Sequence, residues 1–387
     1  MNSITISDSI RYIGCDDHSI DLFESQYKVP NGISYNSYLI LDEKVAIMDT
    51  VDRRASEEWV ANLTRELAGR QPDYLVVHHL EPDHAYNIQA ICEAYPELKI
   101  VTSVKAASML PQFFTLDFSD RVIAVKEGDT LSLGEHTLTF VLAPMVHWPE
   151  VMVSYESSEK VLFSADGFGK FGALDVDEPW DCEARRYYFN IVGKYGQPVQ
   201  TLLKKAATLD IRTICPLHGP ILTENLGHYI GKYQIWSSYQ PEDEGVVIAY
   251  ASIHGNTVKV AEKLAEILKA KGAPKVALFD LARCDKAEAI EDAFRYSKLV
   301  LAASSYDGGV FPPMENFLCS LVSKMYQNRR IALVENGSWG PTAGRVMKGY
   351  VEKLKKIDLC PTMVTIWSTL KDSDLPKLEQ LADEILA

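Results

Sequence analysis

From residue 246 onward the chain repeats one rhythm, a short apolar run followed by an amphipathic segment, and few folds accept it. The apolar runs predict strands over 246–251, 275–279, 299–303, 331–335 and 363–367. The helical periodicity between and after them predicts helices over 257–271, 286–295, 314–325, 343–355 and 375–387. Five strands alternating with five helices specify an α/β fold, a doubly wound parallel five-stranded sheet. Ligands on such sheets lie in the loops beyond the carboxyl ends of the strands, near the switch in strand order.

Three of those loops share a chemistry. The first, Ser252-Ile253-His254-Gly255-Asn256-Thr257, joins a strand to a helix N-terminus. Its hydroxyls, amide and free backbone N–H groups make a neutral phosphate cradle that needs no lysine, although a helix cap alone would also explain it. The loops Ser304-Ser305-Tyr306-Asp307-Gly308-Gly309 and Glu335-Asn336-Gly337-Ser338-Trp339-Gly340 each set one aromatic among small residues. That suits a flat ring held between aromatic faces. Three such loops at the correct strand ends carry more weight than one.

The first 240 residues read differently. Short runs such as 34–41, 45–48, 100–102, 121–125, 136–142 and 161–163 are separated by turns and occasional helices. The polar, acidic stretch Tyr239-Gln240-Pro241-Glu242-Asp243-Glu244-Gly245 reads as a linker, which divides the chain into domains 1–243 and 244–387. A chain of 387 residues is expected to exceed one core. Its net charge of −14 and lack of a basic block speak against nucleic acid as a partner and favour small molecules or positively patched proteins. The opening Met1-Asn2-Ser3-Ile4-Thr5-Ile6-Ser7-Asp8 has no signal-peptide pattern, and no apolar run nears the ~20 residues of a membrane span, so a cytoplasmic protein is expected. Seven scattered cysteines without a Cys-x-x-Cys pair suit reduced thiols.

The chemistry of this half begins at His79-Leu80-Glu81-Pro82-Asp83-His84, directly after the apolar stretch 74–77. A strand running into such a turn can aim two imidazoles and two carboxylates at one point. His147, Asp166 and His218 follow three later strand-like runs. Any one of these three alone reads more readily as a structural residue. Together the seven supply four imidazoles and three carboxylates, enough for two metal ions with one carboxylate bridging and positions open for substrate. His78 points opposite to His79 in a strand and is read as packed or solvated; His18, His136 and His228 are read as structural. The run Gly167-Phe168-Gly169-Lys170-Phe171-Gly172 matches a dinucleotide fingerprint, but no helix pattern follows it.

The C-terminal part resembles the flavodoxin family over about 245–387. The resemblance implies FMN, its phosphate held by Ser252, His254, Gly255, Asn256 and Thr257. Its ring would lie between Tyr306 and Trp339, with Asp307, Gly308, Gly309, Asn336, Gly337 and Ser338 around it and Ser304 opening the second loop. The N-terminal pattern resembles the metallo-β-lactamase superfamily, an αββα sandwich whose hydrolases carry His-x-His-x-Asp-His and usually two zinc ions. Here Glu81 stands where those hydrolases have histidine. A carboxylate is harder than an imidazole and favours ferric iron over zinc.

The two parts in this order resemble the flavodiiron proteins, or A-type flavoproteins, across essentially the whole chain. The resemblance implies one iron on His79, Glu81 and His147, a second on Asp83, His84 and His218, and Asp166 between them. It implies relay of electrons through FMN to reduce O2 to water or NO to N2O, and a head-to-tail homodimer or a homotetramer in which the flavin of one subunit serves the iron site of another. Trp148 and Tyr195 are candidate neighbours of that site, with aromatic packing the expected role. Without Cys-x-x-Cys pairs for a fused rubredoxin-type domain, the donor is expected to be separate, a rubredoxin-like protein or a reduced deazaflavin. A dizinc hydrolase with an appended flavodoxin domain, or a plain electron carrier, are the competing readings.

Overall fold

The computed structural model describes residues 6–387; Met1 to Thr5 of the N-terminal stretch lie outside them. The chain forms two compact units, one comprising residues up to Tyr187 with Gln197–Gln234, the other Tyr188–Gly196 with Ile235–Ala387.

The first unit is built on two sheets. One runs in the order Ile10–Tyr12, Tyr38–Leu41, Val45–Met48, Tyr74–Val77, Lys99–Ser103, Val122–Val125, antiparallel at its start and parallel from Val45 onward. The other runs Thr130–Ser132, Thr137–Leu142, Met152–Glu156, Val161–Phe163, Thr213–Cys215, with its last pair parallel. Strand alternation decides which side chains meet between them. Val76, Val101, Phe140, Met152, Val161 and Phe163 enter one shared core. Helices Ser56–Leu67 and Val104–Phe113 lie against the first sheet, with Trp59, Leu63, Leu67, Ala106 and Leu110 buried. Val141, Val153 and Leu162 point the other way from the second sheet, toward helix Gly196–Ala206. This is the expected αββα sandwich.

The second unit carries the sheet that the alternation predicts. Its strands run Val276–Asp280, Asp243–Ala251, Tyr296–Tyr306, Gln327–Asn336, Lys355–Ile366, all parallel, so in chain order they stand 2-1-3-4-5. The order reverses between the first and third strands, which is where such sheets bind ligands. Helices Asn256–Ala270 and Leu375–Leu386 bury Leu264, Leu268, Leu378, Leu381 and Ile385 against Ile248, Val300 and Val334. The helix expected over 343–355 stops at Val351, because residues 355–359 pair with the fourth strand instead. Among the described residues no helix is long and apolar enough to cross a membrane.

Candidate metal centre and cofactor pocket

All seven predicted ligands gather at strand exits of the first unit. His79 follows Tyr74–Val77, Asp83 and His84 ride the short helix Pro82–Ala85, and His147, Asp166 and His218 follow strands of the second sheet. The loops that carry them are tight. Met145 has φ 66° and Ala165 φ 50°, a left-handed backbone that costs a non-glycine residue energy and persists where packing enforces it.

Their donor atoms fall into two groups. In one, His147 Nε2 lies 3.1 Å from Glu81 Oε2 and 3.0 Å from Asp166 Oδ2, with His79 Nε2 at 3.2 and 3.6 Å from the same two oxygens. In the other, Asp83 Oδ2 lies 3.4 Å from His84 Nε2 and 3.2 Å from His218 Nε2. Asp166 Oδ1 faces this second group, 3.1 Å from His84 Nε2 and 3.9 Å from His218 Nε2. Each group has the spacing to hold one metal ion, and Asp166 turns one oxygen to each.

Two of the ring nitrogens that face away are bonded elsewhere. His79 Nδ1 donates to Glu150 Oε1 at 2.8 Å and His218 Nδ1 to the Ser34 carbonyl at 2.7 Å, so each ring presents the lone pair of Nε2 to the cluster. Both Asp83 oxygens, both His84 nitrogens, Asp166 Oδ1 and His218 Nε2 are buried with no hydrogen-bond partner among the described residues. Orphaned buried polar atoms are costly, and a cation among Asp83 Oδ2, His84 Nε2, His218 Nε2 and Asp166 Oδ1, which face one another, would satisfy those four. The donors thus fit two ions, hard ones at Glu81, Asp83 and Asp166.

The electrostatics agree. Burial works against the imidazolium of His84 and His147, yet Asp83 and Asp166 beside the first, and Asp166 and Glu81 beside the second, bring each up to about 9. The same pull raises His79 well above the ordinary range, through Glu150 and Glu81 against its burial. Burial also opposes ionisation of Asp166, but the surrounding imidazoles hold its carboxyl far below the usual value. Cations are therefore favoured here; protons take that role when metal does not.

Sequence reasoning missed three neighbours. Glu150 follows His147 by only three residues, but an acid at that spacing has no signature. Tyr187, wholly buried, stands edge-on to Phe171 and tilted against His218, 5.6 Å away; burial, then Asp166, Asp83 and Glu81, push its phenol well up. It occupies the place considered for Tyr195, which belongs to the 3-10 turn Gly193–Tyr195 of the second unit. Glu24 stands at the mouth of the site with Glu81 and Asp83, its carboxyl raised to about 7 by burial and by Glu81. Trp148 packs edge-on to His79 at 5.0 Å. His78 turns away into the core, where it meets Asp49 and Ser154.

In the second unit the predicted loops surround a cavity of about 460 Å³, within the range of cofactor pockets. Ser252, His254, Asn256, Ser304, Tyr306, Asp307, Gly308, Asn336, Gly337, Ser338 and Trp339 line it. Gly255, Thr257 and Gly309 stand behind that lining: Gly255 N donates to Ser252 Oγ at 3.1 Å and Thr257 Oγ1 meets Ser304 Oγ at 2.9 Å. Gly255 has φ 86° and precedes helix Asn256–Ala270, whose first N–H groups point at the cradle. A Cβ on Gly337 would sit 2.9 Å from Pro341 Cα, so this turn admits only glycine. Trp339 is 91% exposed and Tyr306 45%, large apolar faces that a bound ring would cover. Ser368, beyond the fifth strand, is a lining residue not anticipated; Asn336 Nδ2 donates to its carbonyl at 2.8 Å. Its position at a strand's carboxyl end was the available signal.

Residues 33–219 match the ODP family beta lactamase model and 247–357 a flavodoxin domain model. A nitric oxide reductase of Moorella thermoacetica is 31% identical over 99% of this chain and 98% of its own length. The anaerobic nitric oxide reductase flavorubredoxin of Klebsiella pneumoniae is 30% identical over 87% of this chain and 72% of its own. Rubredoxin oxygen:oxidoreductase from Desulfovibrio gigas superposes with a TM-score of 0.93 at 28% identity, covering 99% of this chain and 98% of that one.

Proposed function

The chain belongs to the flavodiiron proteins, and on that premise we propose that it is an oxidoreductase reducing O2 to water, NO to N2O, or both. The observation that carries the reading is Asp166, with one carboxylate oxygen turned to each of two complete ligand groups. His79, Glu81 and His147 would hold one iron, Asp83, His84 and His218 the other, and the loops around Trp339 and Tyr306 would hold FMN. The iron pair and FMN can each store two electrons, which together meet the four that O2 requires and exceed the two that a pair of NO molecules requires.

The protein's own part is to bind, orient and supply hydrogen bonds. Glu150 and the Ser34 carbonyl keep His79 and His218 in the tautomer that presents Nε2. Tyr187 remains a neutral phenol beside Asp166 and Asp83, able to donate a hydrogen bond where substrate oxygen meets the cluster. Glu81 supplies negative charge where a hydrolase of this fold would place an imidazole, which favours a redox metal over zinc. Electrons would come from an external donor, a rubredoxin-like protein or a reduced deazaflavin, and the assembly would be a homodimer or homotetramer in the cytoplasm.

Glu81→Ala and Asp166→Ala should each abolish gas reduction and lower bound iron while FMN content stays unchanged, as measured by metal analysis and flavin absorbance. Full O2 and NO consumption by an iron-free variant would refute the assignment. Anaerobic reduction followed by parallel turnover of the two gases ranks the substrates.

A further inference from the structure

Behind the metal-site loops the first unit encloses a second cavity, of about 20 Å³, that the chemistry above does not use. Val141, Val153 and Leu162 wall it from the outer face of the second sheet, and Val199, Leu203 and Ala206 from helix Gly196–Ala206. Its inner end is formed by Val146 and Gly167, the residues adjoining His147 and Asp166 in sequence. Its outer end passes Leu202, Ala206 and Leu209, which are half-buried.

The wall is apolar except for two hydroxyls, and both are engaged. Ser164 Oγ donates to the Gly167 carbonyl at 2.7 Å, and Tyr233 Oη accepts from Phe168 N at 2.6 Å. A water molecule needs two to four polar partners, which this wall does not offer, whereas an apolar cavity larger than the ~10–15 Å³ that a water-sized guest fills stays dry and can take a small apolar guest. O2 and NO are of that kind: small, weakly polar and without hydrogen-bond demands. We propose that this cavity is a holding site for an apolar diatomic gas, filled past helix Gly196–Ala206 and emptied toward the loops that carry His147 and Asp166. The proposal rests on the gas-reductase reading and adds a route by which the substrate arrives.

Crystals of the iron- and FMN-loaded full chain under xenon pressure should show xenon between Val153 and Leu203. Ordered water there, or xenon bound only elsewhere, would overturn the assignment. In solution Ala206→Phe, which plugs the cavity from its half-buried end, should lose the xenon site and raise the apparent KM for gas several-fold, leaving kcat at saturating gas, iron content and FMN content as in the wild type. Leu203→Ala, which widens the cavity, should keep xenon and leave KM no higher, separating blockage from damage to the helix. An unchanged KM in Ala206→Phe overturns the route. A wild type that binds xenon there but turns over neither gas would sink the gas-reductase reading and leave the gas site standing.

Discussion

Asp166 decides at the scale of single atoms how many ions the ligand cluster can serve. Its oxygens face different groups 3.0 and 3.1 Å away, so one side chain couples two sites that would otherwise be independent. Glu150 acts one layer out: Oε1 accepts from both His79 Nδ1 and Leu80 N, tying the ring to its own backbone. Glu150→Gln keeps the size and removes the charge. Iron affinity should fall about 10–100-fold while FMN affinity is unchanged. Competition with an iron chelator measures it, and equal affinity would exclude the role. The seven clustered residues were legible because each is a His, Asp or Glu shortly beyond an apolar run. Glu150 and Tyr187 were not, since their partners are far away in sequence and no period points to them.

At the scale of elements, the two sheets of the first unit are joined by a polar bridge through their apolar core. Asp49 and His78 leave adjacent strands of one sheet, and Ser154 belongs to the other; His78 Nδ1 bonds Asp49 Oδ2 at 2.5 Å and Nε2 meets Ser154 Oγ at 2.7 Å. All three are fully buried, which leaves no access for a substrate and makes the trio a structural tie. Ser154→Ala would leave a buried imidazole nitrogen without its partner and should cost about 1–3 kcal/mol of stability without changing iron stoichiometry. Urea unfolding checks this; an unchanged midpoint would show that the bridge carries no net stability. The helices and strands of the second unit matched their periodicity except at 352–359. That segment leads into the outermost strand, Lys355–Ile366, whose charged, exposed residues Lys355, Lys356 and Asp358 follow neither period clearly.

For the molecule as a whole, each unit folds around a site that something else must complete. Removing metal leaves a crowd of buried carboxylates and imidazoles, so chelation should lower the thermal stability of the first unit. FMN at 100-fold its Kd should raise that of the second by about 2.7 kcal/mol. Calorimetry with each added or withdrawn in turn tests both, and a first-unit transition indifferent to chelation would count against the metal centre. Alternation of apolar residues and strand-end chemistry are local properties, and they sufficed to read the doubly wound sheet, the seven residues whose donor atoms converge and most of the loops that line the cavity directly from the chain. The rest required the folded state. That Asp166 stands between the two groups, that Glu150 reaches His79 across 71 residues and Ser34 reaches His218 across 184, and that an apolar cavity lies behind the ligand loops are consequences of how sheets and helices stack. Such meetings depend on packing in three dimensions, which no spacing along the chain encodes.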